Sequence, residues 1–247
     1  MQSGMNHFSF NIVGWRAVSR YFSERAQWQA WVSDGLTGDE TEYKPALSFL
    51  PAMQRRRLGA SARLMFDAAW ALAEQTENCP LVFASHDGEL NRSFELWLAL
   101  LKEGDVSPTS FGLSVHNALA GQWSMLRGDM SENTALSVQL DGLETALAEA
   151  YALLCEGAEQ VLVVLADEPL KPEYTVEAKR APFPYALAML LEKGGDYTVS
   201  MMPSENNCLQ PVKQYYGALD WIRFMLSDGL EHTQNYGSRR WLWQKRK

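Results

Sequence analysis

The chain of 247 residues is 47% hydrophobic and 21% charged, with a net charge of −8, the balance of a globular protein long enough to bury a real core. That charge speaks against a general nucleic-acid binder, and no apolar run approaches the roughly 20 residues that would span a bilayer. Three scattered cysteines (Cys79, Cys155, Cys208) without CxxC spacing, and four histidines never four positions apart, speak against a disulfide framework and a metal site.

The opening residues, MQSGMNHFSF, lack the basic and apolar regions of a signal peptide, so the cytoplasm is the expected compartment. Phe8–Val18 is rich in β-formers and reads as a strand. Tyr21–Tyr43 reads as an irregular excursion anchored by Trp28 and Trp31. Lys44–Met53 is extended, punctuated by Pro45 and Pro51. From Arg55 to about Gln75 the spacing predicts one helix, with Leu58, Met65, Ala69 and Leu72 on a common face. Arg55, Arg56 and Arg57 then crowd its first turn, against the helix dipole. They are either a solvated patch or a docking site for an acidic partner.

Pro80–Ser85 is a short apolar run of the buried, parallel-sheet kind. Glu89–Lys102 is a helix with Leu90, Phe94, Trp97, Leu98 and Leu101 on its apolar stripe. Ser107–Gly142 gives a loop, a helix from about Val115, a strand over about Thr134–Val138 and a tight turn at Asp141-Gly142. Leu143–Glu156 follows as a helix, and Gln160–Ala166 as a second buried strand. This alternation of strands and helices predicts βαβ units and a mostly parallel sheet covered on both faces.

Asp167–Pro184 is a Pro-rich loop. Tyr185–Glu192 and Asp196–Met202 flank Gly194-Gly195 and read as a β-hairpin. Tyr216–Leu226 is a helix displaying Trp221 and Phe224, and the chain closes on the basic, aromatic SRRWLWQKRK. Nine tryptophans point weakly to a partner surface.

No GxGxxG, P-loop, HExxH or GxSxG pattern is present, and no cofactor is expected. Ser85-His86-Asp87 holds the letters of a triad, but adjacent residues point apart and cannot form one. It reads as a strand-to-helix turn. His116 opens the central helix as a satisfied structural residue or a pocket-lining one, and Cys155 reads as a buried, inert thiol. A strand running through a sharp turn onto a helix N-terminus is a common mount for a nucleophile. Here the turn offers Gln139, Leu140 and Asp141, with no Cys, Ser or Thr.

The run SPTSFGLSVHNALAGQWSM (Ser107–Met125), preceded by VFASHDGE within Leu81–Leu90, resembles the β-ketoacyl synthase N-terminal-like family. Within it, the chain is most similar to the short, chain-length-factor-like proteins of aryl polyene clusters. The resemblance runs from about Phe8 to the closing W-x-W and implies a thiolase-like α/β fold. Complete synthases of that fold hold two βαβαβαββ halves: the first supplies a nucleophilic Cys, the second two catalytic His and a glycine-rich loop. This chain matches the first half alone. The expectation is one truncated thiolase-like domain over 1–247, with a Trp-rich basic segment at about 215–247.

The family places its Cys three residues before a Gly at the start of the helix after the central strand. Counting back from Gly142 gives Gln139, and counting forward from Ala120-Gly121 gives Leu140. Neither is a thiol, which resembles the inactive chain-length factors. The resemblance implies a subunit without condensing activity of its own. It would pair with an active ketosynthase, stabilise it and shape the acyl tunnel during elongation on an acyl carrier protein. Phe111, Leu113 and His116 are the candidates to floor that tunnel, with Asn117, Gln139 and Leu140 at the interface. Arg55, Arg56, Arg57, Arg239 and Arg240 are the candidates for carrier docking. The tail, with Trp241 and Trp243, is expected to cover surface that the absent half leaves bare. The alternatives are a purely structural stabiliser, a stand-alone acyl-transfer or decarboxylase activity, and a carrier-docking module.

Overall fold

The computed structural model describes residues 6–74, 76–174, 181–203, 217–237 and 239–246. Its first strand, β1 (Asn6–Ser19), is long enough to be shared by two neighbours on opposite edges. The excursion that follows contains a helix, α1 (Arg25–Asp34), where an irregular segment was expected. The signal for it is local: Gln27 Oε1 reaches back to accept the N–H groups of Ser23 and Glu24, as in a capping box. Trp28 and Trp31, one turn apart, then share a buried face, and the Trp28 indole donates to Ala17 O at 2.9 Å.

The single helix expected over Arg55 to Gln75 is two: α2 (Ala52–Arg55) and α3 (Ala60–Ala69), broken before Gly59, which caps α3. Arg55, Arg56 and Arg57 therefore sit at the C-terminal end of a short helix, where cations suit the dipole. Gln75 lies outside the described residues.

Next come β2 (Leu81–Ser85), α4 (Leu90–Glu103), α5 (Pro108–Gly112), α6 (Ala118–Arg127), β3 (Asn133–Ser137), α7 (Gly142–Glu156) and β4 (Gln160–Asp167). The chain closes with β5 (Tyr185–Lys193), β6 (Tyr197–Pro203), α8 (Leu219–Leu226), β7 (Glu231–Tyr236) and β8 (Arg239–Lys245). The order through β5 reproduces the expected βαβαβαββ half. Tyr216 and Cys208 lie outside the described residues.

All strands join one sheet in the order β3-β2-β4-β5-β1-β6-β8-β7. Two corrections follow from its pairing. Parallel pairing is confined to β3-β2 and β2-β4, and every other neighbour is antiparallel, so the sheet is mixed without being mostly parallel. Helices return the chain between β2, β3 and β4, whereas no α-helix among the described residues lies between β4 and β6, and parallel neighbours need a crossover.

The second correction is that β5 and β6 form no hairpin, because β1 lies between them. The Gly194-Gly195 link crosses over Asn11, whose Oδ1 accepts the N–H groups of Gly195 (3.0 Å) and Asp196 (3.1 Å). A Cβ at Gly194 would stand 1.9 Å from that oxygen, so the close crossing requires glycine.

The buried strands alternate between two cores. Val161, Val163 and Leu165 of β4 face one core, which holds α1, α7 and α8; Leu162, Val164 and Ala166 face the other, with α3 and α6. Burying each such side chain contributes about 1.5–3 kcal/mol. The closing SRRWLWQKRK is not a tail over the surface. It is β8, paired on both edges, with Trp241 and Trp243 buried in the first core; Ser238 and Lys247 lie outside the described residues.

Candidate functional site

The parallel strands β2, β3 and β4 end together at Ser85, Ser137 and Asp167, and the chain steps from β2 outward to β3, then back across to β4. Such a reversal opens a crevice at the carboxyl ends of the strands, the place where open α/β sheets bind ligands.

Polar groups lace this end together. Asp167 is buried; its Oδ1 accepts from Ser85 Oγ (3.2 Å) and His86 N (2.7 Å), and its Oδ2 from Tyr185 Oη (3.2 Å). Burial raises the Asp167 carboxyl above its ordinary range, against the opposing pull of those donors. Tyr185 Oη in turn accepts from Ala218 N, which ties the start of α8 to the network. Ser85 Oγ also accepts from Gly88 N at 2.8 Å, so the hydroxyl is consumed by structure.

His86 Nδ1 lies 2.9 Å from Val138 O, and His116 Nε2 lies 3.3 Å from Ser85 O. A carbonyl can only accept, so each of these nitrogens carries its proton. The His116 ring also packs 5.8 Å from the Phe83 ring. Beneath Gly88 (φ +56°), a Cβ would fall 2.9 Å from His116 Cδ2. Ser85 Oγ and the His86 backbone N–H share Asp167 Oδ1, while the His86 ring nitrogen Nδ1 is directed to Val138 O, an arrangement unlike a triad.

The turn onto α7 is the sharpest feature. Val138 is buried, with its N–H on Ser85 O; Gln139 is exposed, Leu140 is half-buried, and Asp141 is buried. Gly142 is required there, since a Cβ would stand 2.5 Å from Val138 Cγ2. Asp141 caps the helix through its backbone carbonyl, which accepts from Thr145 N and Oγ1. Its side chain is taken by the last strand: Arg239 pairs with Oδ1 at 2.8 Å and the Trp241 indole donates to Oδ2 at 3.2 Å.

One turn on, Glu144 is fully buried, and its Oε1 accepts from Tyr236 Oη at 3.3 Å. Its Oε2 and the nearby Trp243 Nε1 are buried without hydrogen-bond partners. Burial, reinforced by the neighbouring Asp141 charge, pushes the Glu144 carboxyl up to about 8, although its own backbone N–H and Tyr236 oppose this. Two carboxyl groups held by the β7–β8 pair therefore occupy the N-terminus of α7. Sequence reasoning named Asp141 only as a turn residue and missed Glu144. The D-G-x-E spacing is a legible helix start, but its partners come from a strand at the far end of the chain.

The other predicted residues separate into groups. Phe111 lies in the last turn of α5 and is 61% exposed, Leu113 and His116 are half-buried, and exposed Asn117 caps α6. Arg56 and Arg57 are exposed, while Arg55 donates to Ala46 O. They lie with α3 on one face of the sheet, whereas Arg239 is drawn to Asp141 on the other, so the five arginines form no common patch. Arg240 is half-buried on β8. Cys155, expected to be buried, is exposed late on α7.

β3 is the terminal strand of the sheet, so its outer edge has no strand partner among the described residues. Thirteen large apolar side chains are exposed among those residues, and eight of them fall between Trp97 and Met130, on the segments leading to that edge. Such a concentration in one stretch exceeds the scattered apolar exposure of an ordinary free surface. No helix among the described residues is long and apolar enough to cross a membrane.

Residues 28–244 match the family model described as beta-ketoacyl synthase, N-terminal domain. No curated protein matches the sequence. Among solved structures, the chain is similar to one from the ketosynthase ApeO in complex with its chain length factor ApeC, from Xenorhabdus doucetiae. The identity is 25% and the TM-score 0.83, with 96% of this chain and 100% of that chain covered. The ishigamide ketosynthase/chain length factor is similar at 18% identity and TM-score 0.64, over 80% of this chain and 68% of that one. A beta-ketoacyl synthase from Burkholderia phymatum is similar at 12% identity and TM-score 0.58, over 81% and 66%. The last two likenesses are of fold alone.

Proposed function

The chain belongs to the beta-ketoacyl synthase N-terminal domain family, and from that membership we propose that it is the chain-length-factor-like subunit of a ketosynthase complex, without condensing activity of its own. The observation that carries this reading is a conjunction. The outer edge of β3 has no strand partner among the described residues, exposed apolar side chains concentrate on the segments between β2 and β3, and the turn presents Gln139 and Leu140 in place of a thiol. The end-to-end likeness to one chain of a ketosynthase–chain length factor complex supports it.

In this reading the partner supplies the chemistry. Its cysteine thiolate carries the growing acyl group as a thioester. Malonyl on an acyl carrier protein loses CO2, the resulting carbanion attacks the thioester carbonyl, and the thiolate is released. The present chain lends its β3 edge and the Phe111–Asn117 segment to the partner's tunnel. Phe111, Leu113 and His116 floor it and limit growth toward an aryl polyene product. Arg56 and Arg57, exposed and cationic, with half-buried Arg55 beside them, remain the candidates for carrier docking. We read residues 1–247 as one thiolase-like unit in the cytoplasm, with β8 as its closing strand.

Co-expression with the ketosynthase encoded alongside it, followed by native mass measurement and product profiling, tests the proposal. A 1:1 complex that makes a defined product length is expected, and a ketosynthase fully active and length-selective alone would overturn it. A purely structural stabiliser is the second reading, favoured by the backbone hydrogen bond and ring packing that already occupy His116. A stand-alone decarboxylase is disfavoured, because the acidic groups nearest the turn are clasped by β8 and β7.

A further inference from the structure

α4 is a helix held by one end. Asn91, its only buried residue, donates to Pro169 O at 3.1 Å and accepts from Lys171 N at 3.0 Å. Ser93 Oγ donates to Ser114 O at 3.1 Å, Phe94 stacks on Tyr174 at 4.6 Å, and Lys171 pairs with Glu95. Beyond that first stretch the apolar stripe turns to solvent: Trp97, Leu98, Leu100 and Leu101 are 58%, 42%, 44% and 68% exposed. A helix of this length is marginal in water without packing. Four large apolar side chains within five positions are also far beyond the scattered exposure that a free surface shows.

Resting on the reading of this chain as a ketosynthase's partner, we propose that the outer face of α4, anchored on Trp97 and Leu101, is a second ketosynthase-binding surface beside the β3 edge.

Area requires more than the edge. A strand of five residues spans only about 17 Å, whereas a stable pair buries about 800 Å² on each side. The Ser93–Ser114 hydrogen bond fastens the start of α4 to the turn after α5, the short helix that carries exposed Phe111, and α6 beyond it packs on β3. The charges on α4 argue for this partner over an acidic carrier. Arg92 is paired with Glu89, and Lys102 is followed by Glu103, so the helix presents no positive field.

The test co-expresses the full chain with the tagged ketosynthase encoded alongside it, as wild type and as Trp97→Glu/Leu101→Glu. Both positions are exposed, so the variant keeps its fold, which circular dichroism checks. Wild type is expected to co-purify with residues 95–103 protected from hydrogen exchange in the complex, and the variant to bind at least roughly 100-fold more weakly. If the variant binds within about threefold of wild type, or α4 exchanges equally in free chain and complex, the α4 surface is refuted while the parent reading stands. If wild type itself fails to bind, the parent reading falls and takes this one with it. A homodimer of the chain alone that the double variant dissolves would assign α4 to a second copy instead.

Discussion

Arg239 holds the Asp141 carboxylate at 2.8 Å, joining β8 to the turn that opens α7. Asp141 is buried and Arg239 is about half exposed, so removing the guanidinium leaves a buried charge with only an indole N–H. Arg239→Ala is expected to cost about 1–2 kcal/mol in urea unfolding, less than a fully buried pair would because solvent screens the exposed side. A change below about 0.3 kcal/mol would show that the contact is incidental.

Glu144 gives the stability a slope with pH. Folding raises its carboxyl from 4.5 to about 8, chiefly through burial. Between those values the folded chain holds a proton that the unfolded chain releases. The stabilisation is whole below pH 4.5 and drains away as pH climbs to about 8, at about 1.4 kcal/mol per unit for this one group. The facing groups are Asp141 with its Arg239, Tyr236, and Trp243 against His232. Glu144→Gln cannot ionise, so its stability relative to wild type is expected to rise steadily from pH 5 to pH 8 in urea titrations. Parallel curves for the two proteins would refute the buried proton.

Phe111 is the exposed candidate for a tunnel floor. Phe111→Ala is expected to leave the stability of the free chain within about 0.5 kcal/mol, since little is buried there. In the complex it is expected to lengthen the product by one or more extension steps, read by mass spectrometry. An unchanged length distribution would remove Phe111 from the floor.

Restoring a thiol is not expected to restore an enzyme. Gln139→Cys or Leu140→Cys would place sulfur on a turn whose neighbouring imidazoles already donate to Val138 O and Ser85 O. Incubated alone with malonyl and acyl carrier thioesters, these variants are expected to form no condensed product. Any C–C bond formation would show that this chain carries more of the catalytic apparatus than its residues indicate.

Local signals were read well where local chemistry decides. The buried runs Leu81–Ser85 and Gln160–Asp167 and the start of α7 at Gly142 lie within one or two residues of expectation. What failed depended on distant partners. Gly194-Gly195 looks like a hairpin turn until β1, from the other end of the chain, is laid between its arms. The W-x-W tail looks like surface until its alternation is matched to α7 and α8, which turns it into a core strand. α1 was legible through Glu24 and Gln27 but was hidden by the loop-like residues that follow it. Of the candidate site, the tight turn at Asp141-Gly142 was readable, whereas the clasp on Asp141 and Glu144 was not, because nothing near those residues announces Arg239, Trp241 or Tyr236.

The position of β1 sets the order in which this sheet can be completed. With β2, β3 and β4 made in between, it is synthesised before its two neighbours, β5 and β6. Until they arrive, a 14-residue strand has both edges open, so its docking is a long-range, slow event. Loss of that one N-terminal segment would leave two disconnected sheets, β3-β2-β4-β5 and β6-β8-β7. The β3 edge and the β7–β8 pair that clasps α7 would then no longer share one sheet. β1, remote in sequence from Gln139, Asp141 and Glu144, is the keystone between the two.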